Sequence, residues 1–129
     1  PQNPKTPYFF KSNLIKIKMT SKPHVIIPEG TIIAQIVKED DRTDGYKYYT
    51  IGKLLGRGGF GCCYEFTSES KMRHACKIIE KSRLKRDNSK LKLMSEIKIH
   101  RALNHHHICK FYDFFDDDQY IYIVMELCP

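Results

Sequence analysis

Short apolar runs, separated by turn-forming residues, dominate the chain after residue 45. Runs of this length, rich in β-branched and aromatic residues, predict β-strands. In the third such run, two-residue alternation puts Ala75, Lys77 and Ile79 on one face. The five predicted strands cover residues 48–55, 62–67, 73–80, 108–115 and 120–127.

The stretch between the third and fourth predicted strands has helical spacing. The Asp-Asn pair at residues 87–88 can cap a helix that runs to about residue 103. Leu93, Ile97 and His100 fall near one face of this helix, and Glu96 lies beside them. The order of three strands, one helix and two strands predicts an α+β fold with a five-stranded antiparallel sheet and one main helix.

The N-terminal part has a different character. Residues 1–22 are polar and basic with three prolines, and we expect a flexible arm in which residues 14–18 could pair as an edge strand. Residues 26–37 are more apolar, but a proline and a glycine interrupt them, so we expect an extended segment on the surface. We therefore divide the chain into an extension, residues 1–45, and a folded domain, residues 46–129.

Composition is that of a soluble globular domain, or of part of one. The chain has 129 residues, of which 41% are hydrophobic and 29% charged. It has neither the apolar stretch of a secretory signal nor a run that could span a bilayer, so we expect no membrane association. It lacks a starting methionine, which suggests a fragment. The net charge of +7 suits an anionic ligand and acidic partners, and we predict no nucleic-acid binding.

The five cysteines form a poor disulfide or zinc framework. Their number is odd, Cys62 and Cys63 are adjacent, and no pair has C-x-x-C spacing. Reduced thiols in a cytosolic or nuclear setting are therefore expected. The histidine run at residues 105–107 near Cys109 does not favour a metal site, because adjacent side chains diverge while zinc ligands are spaced.

Gly56, Gly58 and Gly61 form a G-x-G-x-x-G pattern, which allows a backbone turn to approach phosphates closely. A dinucleotide-binding fold would need a helix after the last glycine. Here residues 62–67 have strand composition, so the pattern indicates a β-hairpin over a polyphosphate. It is not a Walker A loop, because no Gly-Lys-Ser/Thr follows.

This glycine hairpin, the Ala75-Cys76-Lys77 run on the next strand and a glutamate within a helix together resemble the small lobe of a eukaryotic protein kinase. The resemblance implies a protein-kinase-like small lobe in which Lys77 positions ATP phosphates and Glu96 holds Lys77 as an ion pair. It further implies that Met125 is the gatekeeper residue at the end of the fifth predicted strand.

The resemblance also implies a set of nucleotide-binding residues. Phe60 would lie at the loop tip, and Cys63 with Ala75 would line the adenine pocket. The Glu126 carbonyl and the Cys128 N–H would contact the adenine through the backbone. The full set is Leu55, Gly56, Arg57, Gly58, Gly59, Phe60, Gly61, Cys62, Cys63, Ala75, Lys77, Met125, Glu126 and Cys128.

Residues 58–65, 95–101, 114–117 and 126–129 are similar to polo-like kinases, closest to fungal and protist members. Gly61 departs from several polo members, which carry alanine there. The resemblance implies transfer of the ATP γ-phosphate to protein serine or threonine, in cell-cycle or mitotic control. It implies Mg²⁺ held mainly by the large lobe, with protein substrates, the chain's own large lobe and a polo-box domain as partners. The implied location is cytoplasmic or nuclear, at a spindle pole or centrosome.

The residues that would orient the substrate hydroxyl and hold magnesium come after the hinge in this family, beyond residue 129. We therefore expect residues 1–129 alone to be inactive. The alternative is a stand-alone ATP-binding or protein-interaction module without phosphoryl transfer, as in pseudokinases. The presence of Lys77, Glu96 and all three glycines favours an active parent kinase.

Overall fold

The computed structural model describes residues 25–38, 44–58, 61–84, 87–103 and 109–128. The predicted arm at residues 1–22 and the histidine run at residues 105–107 lie outside these ranges. The elements, in chain order, are β1 Ile32–Lys38, β2 Asp44–Arg57, β3 Gly61–Ser68, β4 Arg73–Glu80, a 3-10 turn Lys81–Leu84, α1 Asp87–Ala102, β5 Phe111–Asp116 and β6 Tyr120–Glu126.

The strands form one antiparallel sheet of six strands in the order β1-β2-β3-β4-β6-β5. The predicted α+β class is confirmed, but the predicted count of five strands is one too few. The additional strand, β1, pairs with the first half of β2. The proline and glycine that interrupt this region in the sequence lie in a turn before the strand, where Gly30 has φ 86° and donates its N–H to the Ile51 carbonyl.

Pairing with β1 also explains why β2 begins earlier than predicted. The sequence pattern placed this strand at residues 48–55, whereas β2 starts at Asp44, where it pairs with Lys38. The helix begins at Asp87, as predicted, and ends at Ala102. Among the described residues no helix is long and apolar enough to cross a membrane.

Two apolar layers cover the two faces of the sheet. The layer under α1 contains Cys63, Ala75, Ile79, Leu84, Leu93, Ile97, Ile121, Ile123 and Met125. The layer on the opposite face is rich in aromatic rings and contains Tyr49, Ile51, Cys62, Tyr64, Phe66, Cys76, Ile78, Phe115, Tyr122 and Val124. Since β4 contributes alternate residues to each layer, both of its faces are buried, as expected for a central strand.

The aromatic layer is covered by the sheet itself and by the segment before β1. Gln35 of β1 donates from Nε2 to Asp113 Oδ2 of β5 at 2.9 Å, so the two edge strands of the sheet meet. The Ile27 N–H donates to Tyr64 Oη at 3.0 Å, and Ile27 packs against the same layer. The sheet therefore curls strongly and encloses its aromatic face.

Two of the five cysteines are paired, which corrects the expectation of reduced thiols for this pair. Cys109 and Cys128 form a disulfide with their Cα atoms 6.4 Å apart, whereas Cys62, Cys63 and Cys76 are free and buried. The pairing of β5 with β6 continues past both strands, and the Glu126 N–H donates to the Lys110 carbonyl at 2.8 Å. This register brings together two cysteines that the sequence separates by 19 positions.

Candidate functional site

The glycine-rich segment is a β-hairpin, as predicted. It joins β2 to β3, with Gly56 opposite Cys63 and Arg57 opposite Cys62. The Gly58 N–H donates to the Gly61 carbonyl at 2.8 Å and closes the hairpin. Gly59 and Phe60, at the predicted tip, lie outside the described residues.

Gly61 has a structural role that the sequence pattern did not indicate. A Cβ built on Gly61 would lie 2.0 Å from the carbonyl oxygen of Ile78 in β4. In this chain glycine lets β3 approach β4 more closely than a residue with a Cβ could without a shift of the backbone. The last glycine of the motif therefore fixes the base of the hairpin against the strand that carries Lys77.

Lys77 lies at the centre of the layer between the sheet and α1. It is fully buried on β4, opposite Cys63 of β3 and Ile123 of β6. Burial lowers the pKa of the Lys77 amine from 10.5 to about 7, against the opposing effects of Cys63 and of the Glu96 carboxylate. An amine in this setting is poised to receive an anionic group.

Glu96 comes from α1 and is only 6% exposed. Leu93 and Ile97 flank it in the layer that packs on the sheet, which directs this side of the helix inward. The negative charge of Glu96 favours the protonated form of Lys77, so the two predicted partners act on each other electrostatically. The structure thus brings the lysine and the glutamate to the same buried layer.

Cys63, Ala75 and Met125 belong to this layer as well. Ala75 pairs directly with Met125 in the register of β4 and β6. Burial raises the pKa of the Cys63 thiol to about 11, so it stays protonated and apolar in character at neutral pH. These three side chains form an apolar surface next to Lys77.

Other predicted residues lie apart from this surface. The Cys62 side chain points to the aromatic layer on the opposite sheet face, which leaves only its backbone near the hairpin. Leu55 is 43% exposed and Arg57 is exposed on β2. β6 ends at Glu126, whose Oε2 accepts the Lys110 N–H at 3.1 Å. We call residues 126–128 the hinge segment.

The sequence placed His100 on the same helix face as Leu93 and Ile97, but it did not predict the hydrogen bond that His100 makes. The His100 Nε2 atom donates to the Cys109 carbonyl at 2.7 Å, and its ring packs edge-on against Phe111 with 5.7 Å between ring centroids. Burial lowers the pKa of His100. The end of α1 is thereby fixed to the backbone two residues before β5, a contact that sequence periodicity does not reveal.

Comparison with known proteins gives a consistent result. A family model described as the protein kinase domain matches residues 49–129. This range contains the glycine hairpin, Lys77, Glu96 and the hinge segment.

Individual relatives have polo-kinase names. The chain is 44% identical over 100 residues to serine/threonine-protein kinase PLK2 of Mus musculus, covering 77% of this chain and 14% of that protein. It is 40% identical over 119 residues to serine/threonine-protein kinase PLK1 of Xenopus laevis, covering 86% of this chain and 20% of that protein. It is 39% identical over 88 residues to cell cycle serine/threonine-protein kinase CDC5/MSD2 of Saccharomyces cerevisiae, covering 68% of this chain and 12% of that protein.

The resemblance to polo-like kinases inferred from the sequence is confirmed by these relatives. The chain spans a fifth or less of the length of each of them.

Proposed function

The chain belongs to the protein kinase domain family, and from this premise we propose that the protein containing it is a polo-type serine/threonine kinase. Residues 25–128 supply the nucleotide-binding half of its active site. The observation that carries the proposal is the buried Lys77, which pairs with Cys63 of the glycine hairpin and lies within the electrostatic influence of Glu96.

A buried amine is costly unless an anionic group is close to it. At Lys77 one carboxylate only partly opposes the effect of burial, because the pKa stays near 7. A polyphosphate beside Lys77 would add negative charge and favour the ammonium form. The site therefore fits the phosphates of ATP better than it fits a neutral ligand.

The hairpin and the apolar surface fit the rest of the nucleotide. The close approach of Gly61 to Ile78 holds the base of the hairpin beside Lys77 in the sheet. Cys63, Ala75 and Met125 are buried in the layer that also contains Lys77, and they are apolar side chains of the kind that line an adenine pocket. The Glu126 carbonyl and the Cys128 N–H are the backbone groups assigned to the adenine edge.

In this proposal Lys77 orients the phosphates, and Glu96 holds Lys77 in place. Mg²⁺ would be held mainly by carboxylate and amide groups of the large lobe, which also supplies the aspartate that orients the substrate hydroxyl. The proposed partners are protein substrates with serine or threonine, the large lobe and a polo-box domain. We further propose that the kinase acts in the cell cycle and is located in the cytoplasm or nucleus, at a spindle pole or centrosome.

The test is phosphoryl transfer from radiolabelled ATP to a serine/threonine peptide mixture by the protein that contains this chain. Lys77→Met should lower transfer by about 100-fold or more, because phosphate positioning is lost. Lys98→Met, on the exposed face of α1, is the matched control and should keep full activity. Full activity of Lys77→Met would show that the site is misplaced. A wild-type protein that binds ATP but transfers nothing would support the alternative, a binding module without phosphoryl transfer.

A further inference from the structure

The disulfide between Cys109 and Cys128 connects two functionally different parts of the domain. Cys109 is fully buried two residues before β5, while Cys128 is half-buried at the end of the hinge segment. Among the described cysteines, Cys128 is the one most accessible to solvent, since the others are buried. A small thiol reagent in solution would therefore reach this pair first through Cys128.

Hydrogen bonds connect the chain at both cysteines to parts of the proposed nucleotide site. The Cys109 carbonyl accepts from His100, one turn after Glu96 on α1. On the other side, Cys128 follows Glu126, whose backbone and carboxylate are both bonded to Lys110. A bond between the two sulfur atoms thus links the hinge segment to the end of the helix that carries Glu96.

We infer that Cys109 and Cys128 form a reversible thiol–disulfide site that couples the oxidation state of the hinge segment to the end of α1. The Cα separation of 6.4 Å lies within the range that disulfides span. In reducing compartments, disulfides of this kind are usually transient and serve redox sensing. The natural oxidant is a low-molecular-weight disulfide of the glutathione type.

The exchange proceeds in two steps from the dithiol. The Cys128 thiolate attacks one sulfur of glutathione disulfide, and the first glutathione thiolate leaves as the mixed disulfide forms. The Cys109 thiolate then attacks the Cys128 sulfur and releases the second glutathione thiolate. The two protons lost by the cysteines are taken up by the two released thiolates, so one glutathione disulfide is reduced for each protein disulfide formed.

Oxidation restricts the backbone of the hinge segment. Kinase turnover requires movement between the two lobes, so a restricted hinge lowers the turnover rate. This consequence for activity rests on the proposed function, whereas the covalent site and its link to α1 do not.

In the experiment, the whole protein is equilibrated in buffers that differ in the ratio of oxidised to reduced glutathione. Its free thiols are then blocked, and it is digested with trypsin. Cleavage after Lys110 places the two cysteines on different peptides, so the disulfide appears as a linked peptide pair that dithiothreitol separates by reduction. Hydrogen exchange over residues 98–102 of α1 should be slower in the oxidised form. Turnover should fall by about threefold or more on oxidation and recover on reduction.

Cys109→Ala keeps the carbonyl that His100 needs, and it should show neither the linked peptide nor a response to glutathione disulfide. Cys76→Ala, the matched control, should behave as the wild type, because Cys76 lies in the aromatic layer on the other sheet face. Absence of the linked peptide at every oxidation state would overturn the inference. A linked peptide with unchanged hydrogen exchange in α1 would overturn the coupling. If the peptide forms and exchange slows but reduced protein has no transfer activity, the inference holds and the proposed function fails.

Discussion

Replacing Lys77 by methionine should stabilise the unliganded protein while it abolishes phosphoryl transfer. Burial lowers the pKa of Lys77 from 10.5 to about 7. Since one pKa unit corresponds to about 1.4 kcal/mol, keeping the protonated amine in this layer costs about 4 to 5 kcal/mol relative to the neutral amine. Methionine has a similar length and no charge, so it removes this cost and can pack in the same apolar layer.

The sign of the pH dependence follows from proton binding. Between pH 7 and 10.5 the unfolded chain keeps a proton on Lys77 that the folded protein releases, so wild-type stability rises with pH across this window. The cost of burial is about 4 kcal/mol at pH 7 and about 2 kcal/mol at pH 9. The gain in unfolding free energy of Lys77→Met over wild type should therefore be about 2 kcal/mol smaller at pH 9 than at pH 7.

Urea unfolding of wild type and Lys77→Met, followed by circular dichroism at pH 7 and pH 9 without nucleotide, measures this difference. Methionine also leaves Glu96 without the lysine charge, which lowers the gain at both pH values, so the change with pH is the decisive quantity. Lys98→Met, at an exposed position on α1, is the matched control. A difference between Lys77→Met and wild type that is the same at both pH values would refute the argument, because it would mean that the folded protein holds Lys77 fully protonated throughout.

Two other substitutions test how the site is supported. Gly61→Ala should lower the free energy of unfolding by about 1 to 3 kcal/mol, because its Cβ would overlap the Ile78 carbonyl. Urea unfolding measures this loss. A variant as stable as wild type would show that β3 and β4 can move apart without cost. His100→Gln can keep a donor to the Cys109 carbonyl without a titrating ring. Burial lowers the folded-state pKa of His100, so its contribution is fully present above about pH 6.5 and is lost as the pH falls. The variant should therefore lose less unfolding free energy than wild type between pH 7 and 5. Some loss should remain, because His74 is also buried with a lowered pKa. An equal loss in the variant and in wild type would contradict this role of His100.

Local pattern was sufficient to predict most of the sheet and the buried layer that contains Lys77 and Glu96. Two-residue alternation in β4 placed Lys77 on the same face as Ala75, and helical spacing placed Glu96 beside Leu93 and Ile97; all of them lie in one layer. These features follow from side-chain direction within a single element, which sequence periodicity records.

Features that depend on contacts between distant segments were missed. β1 forms because β2 offers a partner along its first half, and no pattern within residues 32–38 reveals that partner. The pairing of Cys109 with Cys128 depends on the β5–β6 register beyond the strand ends, so cysteine spacing alone was misleading. Likewise, the motif predicts that Gly61 lets the backbone approach phosphates, whereas the atoms nearest to Gly61 in the structure belong to the backbone of β4.

The hydrogen bond between Gln35 and Asp113 joins the first strand of the sheet to the strand at its far edge. The match to the kinase family model begins at residue 49, after β1 has ended. A recombinant form started there would lose the seven residue pairs between β1 and β2 and would present the remaining edge of β2 to solvent. Exposed edges of this kind recruit strands from other molecules and promote aggregation. The folding unit thus starts earlier than the family match and includes residues 25–38, whose backbone protects the sheet that holds Lys77.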